Sequence, residues 1–516
     1  MTDEKQFIDS SFAESLEKFY KLLELSRKTG NFIMKAEALN SIGEISQTLG
    51  KDKDAVNLFM NAWQIAEKTE KLELKDSIAR NLGFAYYSLG EIDKTETWFK
   101  QSLEIAKQLN DERSIAGDIA NLGLVYFARG EYAKAISKYK KSLKFLVTKG
   151  TLEDQALTLH DLGDAYRMSG NISHGVTSYK KAIQIYKRIG KKTGVAESCS
   201  ALGFLYYEND EFSQAKICME DGLESISHEY APLQKRDLLA NLGLVYLSLN
   251  QSDKALLLME EAFELLDESA SETDYGIFYN NFGLAYRMKK SYQTAKEFFL
   301  KSYEIRRQYE LERETEISLY NLALVCYHLG QLGEAQKYLI QSIEICERHN
   351  WIDQRAWALV LLGVIQEHLG EHKQSHQSYS EAIKVLQDYQ NNEGLWSAVY
   401  NLGRLYEESL GDFKKAQTSY QDSVKHLMKI RTRMSIDHRA NYVEDKLRVF
   451  DSLVPLLIKQ GENKNAFHYA ELSKSRSFFE LMLDQDFLSN NDKLFEKEWS
   501  LFSHPDYVSS LLITTD

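Results

Sequence analysis

The stretch Asn81-Leu82-Gly83-Phe84-Ala85-Tyr86-Tyr87 returns as Asn121-Leu122-Gly123-Leu124-Val125-Tyr126-Phe127, and again as Asn241-Leu242-Gly243-Leu244-Val245-Tyr246. The glycine in its third place falls at Gly43, Gly83, Gly123, Gly163, Gly203, Gly243 and Gly283, gives way to Ala323, and resumes at Gly363 and Gly403, a period of forty residues. A fixed period of this length specifies a solenoid, in which each unit buries its apolar face against its neighbours. A chain of 516 residues would ordinarily divide into several globular domains. Stacked repeats override that expectation, because a solenoid grows without enlarging a single core.

The rest of the unit explains the recurrence. Gly83 shares an apolar face with Leu82 and Tyr86 at helical spacing. Glycine weakens a helix by roughly 1 kcal/mol relative to alanine, so its recurrence implies a closely approaching neighbour. A second break follows at Gly50, Gly90, Gly130, Gly170, Gly330, Gly370 and Gly411. Asp210 and Asn250 replace it in two units, and both residue types tolerate the left-handed turn that ends a helix. Lys290 departs from that rule. A small residue recurs at Ala55, Ala135, Ala215, Ala255, Ala295, Ala335 and Ala416, with Thr95, Gly175 and Ser375 in the other units. Four residues later comes an aromatic or apolar chain: Phe59, Phe99, Tyr139, Tyr179, Met219, Met259, Phe299, Leu339, Tyr379 or Tyr420. Each unit therefore reads as helix, tight turn, second helix.

This pattern resembles the tetratricopeptide repeat (TPR) over roughly residues 35 to 430. The resemblance implies an all-α, TPR-like α-solenoid, a right-handed superhelix of helix-turn-helix repeats. The period is forty rather than thirty-four, and the proline that often ends the unit is missing. Long units of this kind look like those of kinesin light chains, Pins-type spindle scaffolds and bacterial TPR proteins. The expected organisation is a capping helix in 1–34, ten repeats in 35–434, a helical hairpin in 435–486 and a tail in 487–516. Residues 11–30 read as one amphipathic helix with Phe12, Leu16, Phe19, Leu23 and Leu25 on its apolar side.

Past Tyr420 the register is lost. Lys425, Lys429, Arg431, Arg433, Arg439, Lys446 and Arg448 make 425–448 the locally basic stretch of an acidic chain. A helix pair follows, Val449 to Lys459 and Asn465 to Leu483, turning at Gly461. Its run Ala470-Glu471-Leu472-Ser473-Lys474-Ser475-Arg476 resembles the last repeat before the CHAT domain of TPR-CHAT proteins, a caspase-like peptidase with a His and Cys pair. The chain stops at Asp516 and no cysteine follows Cys346. The expectation is a chain without peptidase activity of its own.

Charge and composition exclude several functions. A net charge of -13 argues against non-specific nucleic-acid binding, which needs a basic surface. The mean hydropathy of -0.42 and the lack of long apolar runs exclude a transmembrane helix. Met1 to Ser10 is polar, with no signal-peptide core. Cys199, Cys218, Cys326 and Cys346 show neither CxxC spacing nor a disulfide framework, which fits a reducing cytoplasm. Cys326 stands at the repeat tyrosine and reads as core. No phosphate-binding loop, nucleophile elbow or His-Glu-x-x-His run occurs, so neither enzyme nor cofactor is expected. His368, His372 and His376 are spaced by four, but no carboxylate or cysteine completes a metal set, and solvated histidines are expected.

The candidate site is a ladder on the first helices. An asparagine two before the glycine recurs at Asn81, Asn121, Asn241, Asn281, Asn321 and Asn401, with Asp161 in a seventh unit. Four after the glycine stand Tyr87, Phe127, Arg167, Tyr207, Arg287 and Tyr327. The TPR resemblance places the asparagine on the concave wall, where its amide can donate to and accept from a ligand backbone. The competing reading is an asparagine that bonds a neighbouring helix. A carboxylate clamp is not expected, since Phe84, Leu124, Phe204, Leu244, Leu284 and Leu324 occupy the place of its second asparagine, and Asp164 is the polar exception. The resulting expectation is a non-catalytic scaffold holding a protein or peptide segment in the groove, with no nucleic acid, no membrane and an open oligomeric state. The alternatives are the regulatory half of a TPR-CHAT system and a peptide-signal receptor.

Overall fold

The forty-residue period is visible in the helix starts. Phe32, Leu72, Glu112, Leu152, Lys192, Pro232, Glu272, Glu312, Ile352 and Asn392 each open a first (A) helix. The computed structural model describes residues 2–228, 230–266, 270–389, 391–431 and 446–473, with only the backbone for 2–12 and 431. All regular secondary structure among the described residues is helical. Two units divide after Ala270. The first contains α1 (Thr2–Thr29) and six repeats: α2 (Phe32–Thr48) with α3 (Asp52–Ala66), α4 (Leu72–Ser88) with α5 (Ile92–Leu109), α6 (Glu112–Ala128) with α7 (Tyr132–Lys149), α8 (Leu152–Met168) with α9 (Ile172–Ile189), α10 (Lys192–Glu208) with α11 (Phe212–Ser225), and α12 (Pro232–Ser248) with α13 (Ser252–Glu264).

The second unit holds four repeats and a terminal pair. These are α14 (Glu272–Met288) with α15 (Tyr292–Gln308), α16 (Glu312–His328) with α17 (Leu332–His349), α18 (Ile352–His368) with α19 (His372–Asp388), and α20 (Asn392–Arg404) with α21 (Phe413–Arg431). The pair is α22 (Arg448–Lys459) and α23 (Asn463–Ser473), joined through Gly461 at φ 79°. Residues 432–445 and 474–516 lie outside the described residues, and with them most of the basic stretch, the end of the expected hairpin and the tail.

The A helices from α2 to α18 end in the same turn. Gly90 sits at φ 74°, its N–H bonds Tyr87 C=O at 2.9 Å, and the Glu91 N–H bonds Tyr86 C=O at 2.9 Å. This pair of bonds satisfies carbonyls that the helix end leaves without partners. Lys290 adopts the same left-handed geometry at φ 59°. The repeated turn imposes its backbone even on a residue poorly suited to it.

Beyond the turn, the second (B) helix lays its aromatic against the A-helix glycine. A Cβ on Gly83 would stand 2.3 Å from the Phe99 ring, and Phe99 is completely buried. The glycine therefore makes room for a ring. At Ala323 the partner is Leu339, which is narrower than a ring and also completely buried.

Two details depart from the sequence reading. The first helix begins at Thr2 and buries Leu23 against Ala36 and Leu39, with Leu16 and Phe19 alongside, while Leu25 is 46% exposed. In the last repeat, a five-residue π-helical segment, Leu405–Ser409, continues α20. Gly403 and Gly411 are eight residues apart where Gly43 and Gly50 are seven apart. The wider turn of the segment takes up the extra residue, so Ala416 and Tyr420 still arrive fully buried.

Within each unit, A helices of successive repeats touch directly: α2 with α4, α6 with α8, α8 with α10 and α10 with α12 in the first, and α16 with α18 and α18 with α20 in the second. The A helices thus make one continuous wall per unit, and both rows of candidate residues lie on it.

Candidate functional site

The ladder divides according to the residue forty-one places earlier. The Asn81 amide donates to Asn40 Oδ1 at 3.0 Å and to Glu44 Oε1 at 2.8 Å. Asn241 donates to Ser200 Oγ at 3.0 Å, and Asn321 to Asn280 Oδ1 at 3.5 Å. In these repeats the asparagine ties one A helix to the preceding one. Where the earlier residue is apolar, the tie is missing. Val360 precedes Asn401, whose amide turns to its own helix at Ser397 C=O, 2.9 Å away. Ala120 precedes Asp161, whose carboxylate forms no hydrogen bond or ion pair among the described residues. Asn121 follows Arg80, which is held by Asp76 at 2.6 Å and Asp118 at 3.2 Å. The amide of Asn121 has no bond to it. Asn281 is buried beside Asn280, whose amide approaches its oxygen at 3.5 Å.

The second row is also partly engaged between repeats. Arg167 forks onto both Glu208 oxygens at 3.0 and 3.1 Å and lies over the Phe204 ring. Tyr327 meets His368 Nε2 at 3.3 Å. Arg287 donates to Asn321 Oδ1 at 3.1 Å and has no carboxylate partner among the described residues, and burial lowers its pKa. Phe127 packs edge-on against Tyr132, and Tyr207 stacks on Phe204. Tyr87 is half-buried, and both burial and the Asp161 charge raise its phenol pKa.

The structure therefore gathers Asn121 and Asp161 into one hollow of about 390 Å³ between α4, α6 and α8. Phe84 and Leu157 supply apolar walls, and Gly117 lies on its α6 side. Gly117 differs from the repeat glycines, since a Cβ there would meet no atom within 4 Å. Next to the hollow, Ser102 Oγ lies 2.8 Å from Asp76 Oδ1 and 3.0 Å from Asp118 Oδ2, so its single proton is shared between the two carboxylates of the Arg80 network. Burial pushes Asp118 up to about 6 despite its arginine. Asp161 is pushed up to about 7, first by burial and then by the charge of Asp164 one turn away. Asp164 accepts the Tyr179 hydroxyl at 2.5 Å.

Of the histidine trio, His368 is exposed as expected, whereas His372 and His376 are partly buried. His368 meets Tyr327, and His376 Nε2 lies 2.8 Å from the Tyr406 hydroxyl. The Nδ1 of His372 is buried without a partner. Among the described residues no three His, Cys, Asp or Glu side chains form a metal-binding group. Cys326 is buried, and burial raises its thiol to about 11, away from the reactive range. Lys425 pairs with Asp422 at 2.7 Å, and Arg448 lies over Trp396 and Tyr400. The described ends of the basic stretch are thus partnered within the fold. No described helix is long and apolar enough to cross a membrane.

Reading the sequence alone missed the partners Glu44, Ser200, Asn280, Glu208 and His368, and left Asp161 as a variant of the asparagine. The signal was present in part at a spacing of forty-one: Asn40, Ser200 and Asn280 mark engaged ladder positions and Ala120 marks Asp161 as unengaged, whereas Arg80 is polar but leaves Asn121 untied because Asp76 and Asp118 already hold it.

The repeats match known proteins. One tetratricopeptide-repeat model matches residues 74–146, 113–188, 274–348 and 314–388, and a second matches 237–265 and 397–425. No curated protein matches the chain. Among solved structures, the apo form of RapI aligns at 15% identity over 52% of this chain and 93% of its own, with a TM-score of 0.40. A Podosopora anserina protein described as a kinesin light chain with nearly identical TPR-like repeats aligns at 18% identity over 37% of this chain and 94% of its own, with a TM-score of 0.32. With tetratricopeptide-repeat matches in both units, together spanning more than half of its length, the chain is a tetratricopeptide-repeat protein.

Proposed function

We propose that the chain is a non-catalytic scaffold that docks a segment of a partner protein on the A-helix wall of its first unit, centred on the hollow beside Gly117. Tetratricopeptide repeats serve as protein-binding surfaces, and stacked repeats offer extended ones. One observation carries the location: Asn121 and Asp161 line the same hollow and neither bonds the adjoining repeat. Gly117 supports it. A glycine in mid-helix with no neighbour to avoid lowers helix stability by about 1 kcal/mol without a packing return, and here it keeps the hollow open. The half-buried ring of Tyr87 adds a contact surface of the kind that anchors interfaces.

The test is to fill the hollow. Gly117→Leu should fold with unchanged or slightly higher thermal stability, and should lose the partner that the intact chain recovers in a pull-down. Ile217→Ser, at an exposed position on the B helix α11, should retain it. Recovery undiminished by Gly117→Leu would move the surface off this wall, with the basic stretch Lys425 to Arg448 the next candidate. A second reading, a regulatory role beside a CHAT peptidase, draws on the Ala470-to-Arg476 run, of which Ala470 to Ser473 form the end of α23.

A further inference from the structure

The charges around the hollow do not cancel, and the imbalance points to the chemistry of its occupant. Charged groups come from α4, α6 and α8, while α7 adds the apolar Leu146, and the phenols of Tyr87, Tyr139 and Tyr186 also lie in the field of Asp161. From α4 comes Arg80, already held by Asp76 and Asp118. From α6 come Asp111, which accepts the backbone N–H groups of Arg113 and Ser114, and Arg113, which donates to Asp154 at 2.8 Å. From α8 come Asp154, engaged by that arginine and by its own helix cap, and Asp161. Both arginines are matched by carboxylates, and Asp161 is left with no cation among the described residues. Its neighbour Asp164, which accepts the Tyr179 hydroxyl and lies 3.6 Å from His160 Nε2, adds to the negative field at Asp161 rather than relieving it.

We infer that the hollow receives a lysine or arginine side chain of the docked segment, its cation on Asp161 and its aliphatic stem along Phe84 and Leu157, while the Asn121 amide bonds the segment backbone. This rests on the docking reading above and names its partner as a basic, extended segment. The geometry suits such a side chain. Lysine and arginine bury their stems on apolar surface and place the charge at the tip, and a partly buried carboxylate strengthens a hydrogen-bonded ion pair relative to one in water. An acidic or purely apolar occupant would leave Asp161 uncompensated, a recognised source of discrimination. A bound cation also favours the charged carboxylate, so binding should tighten from pH 6 to pH 8 as Asp161 loses its proton.

The experiment pans a phage library of random unstructured heptapeptides on the full-length chain, and in parallel on Asp161→Asn and Gly117→Leu. The wild type should enrich peptides carrying Lys or Arg. Asp161→Asn, which restores the asparagine of other repeats and should fold, should still enrich peptides but without that preference. A basic peptide selected on the wild type should bind it about tenfold or more weakly. Enrichment of uncharged or acidic peptides by the wild type, or an unchanged basic preference in Asp161→Asn, overturns the inference while leaving docking intact. No enrichment at all, or identical pools from wild type and Gly117→Leu, overturns the docking reading itself. Citrulline in place of arginine should reproduce the loss on the wild type and have little effect on Asp161→Asn.

Discussion

At the scale of residues, the same amino acid does different work in different repeats. Gly83 makes room for a rigid buried ring, whereas Gly243 faces Met259, whose Cγ would lie 2.9 Å from an added Cβ. Gly83→Ala should therefore destabilise by about 1–3 kcal/mol, and Gly243→Ala by about 1 kcal/mol or less because methionine adapts. Denaturant unfolding of the two variants decides between them, and equal losses would mean that ring rigidity is not the reason for the glycine. Asp161 allows a prediction with a definite sign. Its folded pKa is raised from 3.8 to about 7, so the folded state binds the proton more tightly. The resulting stability is present below about pH 4 and is lost as pH rises towards 7. Asp161→Asn should then be more stable than the wild type at pH 8, by about 1–3 kcal/mol, and indistinguishable near pH 4. Thermal melts at the two pH values provide the measurement. A site residue whose removal stabilises the fold is the usual mark of function held against stability.

At the scale of elements, helices are joined both by packing and by the polar ladder. Asn241→Ala removes the bond to Ser200 and should destabilise by about 0.5–1.5 kcal/mol. Asn121→Ala, with no such bond to lose, should stay within about 0.5 kcal/mol of the wild type. Equal effects would show that the cross-repeat bonds do not set the roles of these residues. The π-helical segment offers a separate test. Deleting Ser409 returns the last repeat to the glycine-to-turn spacing of the others, and the chain should keep its thermal midpoint. Deleting His328 from α16, where that spacing is already regular, shifts α17 out of register and should lower the midpoint. The reason is geometric: one residue rotates a helix face by about 100°, which an existing wide turn absorbs and a regular helix does not.

At the scale of the whole molecule, each repeat rests on its neighbours, so damage should stay local. Gly83→Leu should raise hydrogen exchange in α4 and α5 and in the adjoining α3 and α6, and the effect should fade by α12. Uniform loss of protection across the first unit would instead indicate one cooperative block.

The sequence by itself determined the repeat, its period, its turns and the identity of its buried faces. These are local properties: apolar spacing, a glycine opposite a ring and a left-handed turn recur in every unit and need no long-range information. It also named the ladder, though not its division. Whether an asparagine bonds a neighbour depends on a residue forty-one places away on another helix, as Asn40 serves Asn81 and Ala120 fails Asp161. Tertiary structure decided that, because packing A helix on A helix turns residues from different repeats into partners and leaves others facing a hollow. The same packing sets the acidity of Asp161: a carboxylate that reads as one more polar step in the chain becomes, once surrounded by α4, α6 and α8, a charge in need of a partner.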